Sequence, residues 1–201
     1  MTAESERDRP GKYDWRAIQK LAHREFGRRL ARVADWAAPT PDTEWDIKQL
    51  ASHVIQEQQW APLLLSGRTV REARSRLLPL AEDLPAEWNR YSTAAIEAWE
   101  TVDLTSTVRL SRETVTADHF LREQVSDVVI HTWDLASAVH AGQTLDQELV
   151  EAAWSIFAPQ KDTLEASGLF RSPIPIADDA RLQTRLLALT GRDERNPNIR
   201  R

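Results

Sequence analysis

His53 and Glu57 stand four residues apart in one helix-like run, and Asp127 and His131 stand four apart in another. Four residues are one helical turn, about 6 Å along the axis, so the members of each pair lie side by side. An imidazole and a carboxylate at that spacing can grip one cation, and helical bundles build metal sites from such pairs on facing helices. His53, Asp127 and His131 supply three protein ligands and leave positions open for water or substrate, as a catalytic metal site requires. Glu57 is then a proton acceptor or a fourth contact. Asp134, three residues after His131, is a partner that orients the imidazole or an ordinary surface charge. The same spacing also produces surface ion pairs of small value, and spacing alone does not make two helices face each other. His23, His119 and His140 read as solvated or capping residues. Trp60 and Trp133 read as pocket walls, or equally as core or interface.

The elements that must position these groups are helical. Ile47, Leu50, Ala51, Val54 and Gln58 share one face of a helix over about 44–65, with His53, Glu57 and Trp60 on the adjoining face. Leu121, Val125, Val128, Thr132, Leu135 and Val139 form a matching stripe, flanked by Asp127, His131 and Asp134. That helix opens at Asp118 and ends near Gly142, placed as a C′ glycine. Asp14 caps a first helix to about Trp36, and Ala38–Thr43 breaks the chain. A short helix and turn cover 71–81, and a long helix covers 85–101. Residues 106–111 alternate and 113–116 are β-branched, which predicts a small hairpin. Asp146 caps a helix to about 167, kinked at Pro159 and followed by Gly168. Pro173 and Pro175 keep 170–176 extended, and a last helix over 178–190 stops at Gly191. The expected organisation is a flexible 1–13, one all-α domain over 14–191 and a flexible Arg-rich tail over 192–201. Its architecture is a four-helix bundle with extra short helices and a small β-hairpin.

Composition narrows the function. The 201 residues carry 26 Lys+Arg against 31 Asp+Glu, a net charge of −5, so phosphate-neutralising nucleic-acid binding is disfavoured. Arg28–Arg32 and 192–201 then read as solvated charge. There is no cysteine. A disulfide framework, a Cys-type zinc finger and an iron–sulfur cluster are excluded, and any sulfur chemistry must draw on a small-molecule thiol. No apolar run has the length of a membrane span and Met1–Lys12 lacks a signal core, so a cytoplasmic protein with no membrane partner is expected. Eight tryptophans against two tyrosines and four phenylalanines read as large core fillers, and they allow a homodimer through a helix face.

The runs Trp45-Asp-Ile-Lys-Gln-Leu-Ala-Ser-His53-Val-Ile-Gln-Glu57-Gln-Gln-Trp60 and Asp127-Val-Val-Ile-His131-Thr-Trp133-Asp134-Leu-Ala resemble the DinB/YfiT-like superfamily. The nearest branch is the N-terminal domain of mycothiol-dependent maleylpyruvate isomerase and its stand-alone relatives. Pro173–Ile176 through Asp193 is similar to the stand-alone members, so the resemblance spans about 14–193. It implies a DinB-like four-helix bundle holding a divalent metal on His53, Asp127 and His131. Zn²⁺ comes first, and Ni²⁺, Fe²⁺ and Mn²⁺ suit the same donors. It further implies activation of a low-molecular-weight thiol, mycothiol, for S-transfer to a small electrophile or for isomerisation of it. The isomerase has Glu where Asp127 stands, one methylene longer, and its separate C-terminal domain is expected to be absent. The alternative is a metal-binding DinB-like protein without thiol chemistry, hydrolase-like or a structural or regulatory dimer.

Overall fold

The computed structural model describes residues 12–42, 45–111, 113–161 and 170–195. In chain order these form α1 (Trp15–Leu30), α2 (Ile47–Leu65), the short α3 (Val70–Arg74), α4 (Leu84–Thr101), β1 (Thr107–Arg109), β2 (Thr114–Thr116), α5 (Ala117–Ala138), α6 (Gln147–Phe157) and α7 (Leu182–Leu189). The architecture is all-α with one small hairpin. Side-chain caps start most of the helices. The Asp14 carboxylate accepts from the Arg16 and Ala17 N–H groups, and Asp46 and Gln49 form a reciprocal capping box at α2. Thr69 and Glu72 form another at α3. Each such cap answers backbone donors that the first turn leaves unpaired.

α1 packs mainly on α5 and α2 mainly on α4, with α6 against α5 and α7 against α6. The hairpin pairs Thr107 with Thr116, Val108 with Val115 and Arg109 with Thr114, and turns Val108 inward. α5 departs from the single stripe read in the sequence. Ser126, Val129, Ile130, Trp133 and Ala136 are buried along with that stripe from Leu121 to Leu135, and Val139 at its end is partly buried. The reason is position: α1, α2, α6 and the hairpin all pack on α5, leaving it little solvent face. No helix among the described residues is long and apolar enough to cross a membrane.

Several boundaries differ from expectation. α1 ends at Leu30, not Trp36, because the following backbone serves another purpose. The Trp36 and Ala38 carbonyls accept from Lys48 and Ile47 N–H, folding this segment back onto the start of α2. α5 is capped by Thr116 rather than Asp118, and it closes through His140 rather than Gly142. His140 takes φ 52° and Ala141 N–H reaches back to the Ala136 carbonyl, the six-residue closure of a left-handed helix end. α6 stops at Phe157 and continues as a 3₁₀ turn, Ala158–Gln160, that contains Pro159. The rest of its expected span and Gly168 lie outside the described residues. α7 starts at Leu182, four residues later than read.

His23 is a further correction, since it is buried rather than solvated. Its ring stands edge-on to Trp88 with centroids 5.1 Å apart. Burial pushes its imidazole down to about 3, so it folds neutral. The unfolded chain binds a proton there that the native state refuses. Its stabilising contribution is therefore complete above the ordinary histidine value and shrinks as pH falls toward about 3. At about 1.4 kcal/mol per unit, the change from pH 7.5 to 5.0 removes about 2 kcal/mol. Urea denaturation of the wild type at the two pH values should show that loss, and His23→Leu should abolish most of the difference. Equal slopes in the two proteins would assign the acid sensitivity elsewhere.

Candidate metal centre

The Asp46 cap places His53 in the second turn of α2, on the flank that faces α5. There His53 Nε2 lies 3.8 Å from Asp127 Oδ2, and His131 Nε2 lies 3.4 Å from Asp127 Oδ1. The two imidazoles stand nearly perpendicular with centroids 5.4 Å apart. One ligand atom from each of His53, Asp127 and His131 falls within 4.8 Å of the others. His131 is buried, while His53 and Asp127 are half-buried, so the cluster has one accessible side.

The electrostatics favour positive charge at this point. Burial opposes ionisation of Asp127, but His131 and His53 outweigh it and hold the carboxyl well below its ordinary range. Burial also opposes the His131 imidazolium, yet the charge and hydrogen bond of Asp127, then Asp134, push it up to about 10. Glu57 moves the other way. Burial first, then the charge of Asp127, raises its carboxyl against the opposing pull of His53. Glu57 thus feels the cluster, but it is not one of the three converging donors.

Asp134 is no surface charge: it is fully buried. Its Oδ2 lies 3.1 Å from His131 Nδ1, which leaves Nε2 of that ring toward Asp127 and His53. Behind Asp134 stands Arg192. Arg192 Nε donates to Asp134 Oδ1 at 3.2 Å and Nη2 to Oδ2 at 2.9 Å. Nη2 also donates to Asp42 Oδ2 at 3.0 Å, and Nη1 to the Thr190 carbonyl at 2.7 Å. Arg192 is 3% exposed, so the flexible tail expected from 192 onward is corrected at its first residue. The Asp134 carboxylate, drawn fully out of water, requires a cation, and this guanidinium supplies it while also holding the partly exposed Asp42. Gly191 makes the placement feasible. It adopts φ +74°, and a Cβ there would come within 2.5 Å of the Arg171 Cβ.

Asp42, His131 and Asp134 also bring donor atoms within the same span. Arg192 already bonds both of those carboxylates, which makes this second group an ion-pair network.

The tryptophans divide. Trp133 is fully buried and sits two residues past His131, about 200° around α5, so it is core and not a pocket wall. Trp60 is half-buried and packs against the core. The ring that does lie on the cluster is Trp45, with centroids 4.6 Å from His53 and 5.7 Å from His131. Sequence reasoning gave Trp45 no role. Its place immediately before the Asp46 cap was the available signal, because a large apolar residue there folds over its own helix. Arg192 and Asp42 carried no local pattern at all.

An all-α bundle with a small hairpin, converging two histidines and an aspartate from two helices, belongs to the DinB-like class. Residues 20–136 match the family model of the mycothiol maleylpyruvate isomerase N-terminal domain, and the chain belongs to that family. The match contains His53, Asp127, His131 and Asp134 and ends before Arg192. The chain is also similar to two uncharacterized proteins of Mycobacterium tuberculosis, MT0763 of strain CDC 1551 / Oshkosh and Rv0738 of strain H37Rv. Each is 29% identical over 156 residues, which are 74% of this chain and 76% of the relative. No solved structure gives a significant match.

Proposed function

We propose that the chain is a divalent-metal enzyme that activates a low-molecular-weight thiol, mycothiol, for transfer to a small electrophile or for isomerisation of it. The observation that carries this reading is the convergence of His53, Asp127 and His131 in a member of a mycothiol isomerase family. The donor set fits a divalent cation of the Zn²⁺ kind: two imidazole nitrogens and one carboxylate, with one side accessible. Such a cation, when bound, favours thiolate over thiol at neutral pH. The protein's own residues prepare that chemistry. Asp134 orients His131, and Asp127 holds negative charge between the histidines. Trp45 shields the His53 ring from solvent on one side. Glu57, with its carboxyl raised by burial, takes or returns a proton beside the site. The chain offers no thiol of its own to compete for the cation.

The test uses protein purified without a His-tag. Elemental analysis should find close to one equivalent of a divalent metal, and the protein should accelerate mycothiol conjugation to monobromobimane. Glu57→Gln should slow that conjugation about 100-fold without loss of metal, the size usual for one acid–base group. Full metal occupancy with no acceleration, across several thiols and metals, would leave the metal-binding reading without thiol chemistry.

A further inference from the structure

α3 and the hairpin leave between them an open cleft of about 610 Å³. Arg71 and Arg74 reach it from α3 and Arg109 from β1, while Val70 and Leu110 give it an apolar wall. In a chain of net charge −5, three guanidinium groups from two elements meet at one concavity. Among the described residues none of the three forms an ion pair, although Arg28, Arg29, Arg122, Arg181 and Arg192 each do. Glu72 feels the charges of Arg109 and Arg71. Its carboxylate is engaged at the cleft edge by Thr69, accepting from the Thr69 N–H at 2.8 Å and the Thr69 hydroxyl at 2.7 Å, and pairs with none of the three arginines. Glu113 is the remaining acid at the rim. Arg71 and Arg74 stand three apart on one short helix, a like-charge spacing that costs stability until an anion offsets it.

We propose that this cleft binds a small organic anion: a phosphate or carboxylate group held by Arg71, Arg74 and Arg109, with a compact apolar body against Val70 and Leu110. Guanidinium forks match both anionic groups, and the volume lies in the range of small-molecule sites. The site is separate from the histidine cluster. His53 precedes the end of α2 at Leu65 by twelve residues, about 18 Å of helix, and α3 begins beyond that end. The proposal therefore stands whether or not the metal reading does.

Calorimetric titration of the full chain at fixed ionic strength tests it, with phenyl phosphate, benzoate and inorganic phosphate as probes. At least one aromatic probe should bind saturably at one equivalent, about tenfold tighter than inorganic phosphate because its ring covers apolar surface. Which aromatic probe wins identifies the preferred anionic group. Arg109→Ala should weaken that probe about tenfold, and the triple variant R71A/R74A/R109A about 100-fold or more. All three side chains are exposed and two repel each other, so the triple variant should fold and melt no lower than the wild type. His53→Ala should leave binding unchanged, which separates this cleft from any anion held by a metal. Absence of saturable binding by both aromatic probes overturns the proposal. So does inorganic phosphate binding as tightly as they do, binding that survives in the triple variant, or binding that His53→Ala removes.

Discussion

Replacing His131 by alanine is expected to lower divalent-metal affinity by at least about 100-fold, about 3 kcal/mol, since it removes one of only three converging protein donors. His53→Ala should follow closely, because His53 is the only donor that α2 contributes to the cluster. Asp127→Ala should do the same. Asp127→Glu should stay within about tenfold of wild type, because it keeps the charge and α5 needs only a small rotamer change for the extra methylene. Competition against a chromophoric chelator measures all four. The pH dependence has a definite sign. Asp127 and Asp134 hold a proton on His131 up to about pH 10, and a metal ion must displace it. Apparent affinity should therefore rise with pH, about tenfold per unit between pH 6.5 and 9, with one proton released per ion. That release is visible as a buffer-dependent heat. The protein lacking metal should behave oppositely. His131 is raised, so its share of the stability is present below about 6.5 and is lost as pH rises toward 10. A pH-independent affinity, or a His131→Ala variant that binds like wild type, would refute the assignment of this cluster as a metal centre.

Local chemistry made part of this legible in the sequence. The one-turn spacings of His53 with Glu57 and of Asp127 with His131 depend only on helix geometry, which α2 and α5 obey. The reach of one helix toward the other is tertiary and came from family resemblance rather than from periodicity. Glu57 shows the limit: it shares the spacing with His53, yet only its partner joins the converging donors. Helix ends misled where tertiary bonds overrode local signals. Gly142 looks like the stop for α5, but His140 takes the left-handed position because the chain must already turn there toward α6. Trp36 continues the helical spacing of α1, but its carbonyl is needed by Lys48. Arg192 was illegible for a different reason. Ten residues with four arginines and two acids look solvated, and nothing local reveals that one guanidinium meets a buried carboxylate 58 residues away and a partly exposed one 150 residues away along the chain.

That arginine gives the second large effect. Arg192→Met should destabilise the protein by about 3–5 kcal/mol, the cost of leaving a buried carboxylate without its cation. Asp134 is fully buried and its remaining partner is His131, while Asp42 loses the tie that joins its loop to α5. Against a total stability of about 5–15 kcal/mol this is a severe loss, and urea denaturation will read it directly. Arg192→Lys should recover part of it, because an ammonium can meet one carboxylate oxygen but cannot bridge Asp134 and Asp42 with a planar fork. Asp134→Asn combined with Arg192→Met should cost clearly less than the two changes summed, since removing the buried charge removes the need for its partner. Metal affinity should be weakened about 10–100-fold in Arg192→Met and partly recovered in Arg192→Lys, but not recovered in the double variant, as expected when the group orienting a ligand histidine is disturbed. A merely structural arginine predicts lost stability with unchanged affinity in the surviving folded fraction. The double variant separates the two roles, because it restores folding without restoring the carboxylate that orients His131. If Arg192→Met costs under about 1 kcal/mol, water must reach Asp134, and its burial beneath Arg192 would be wrong.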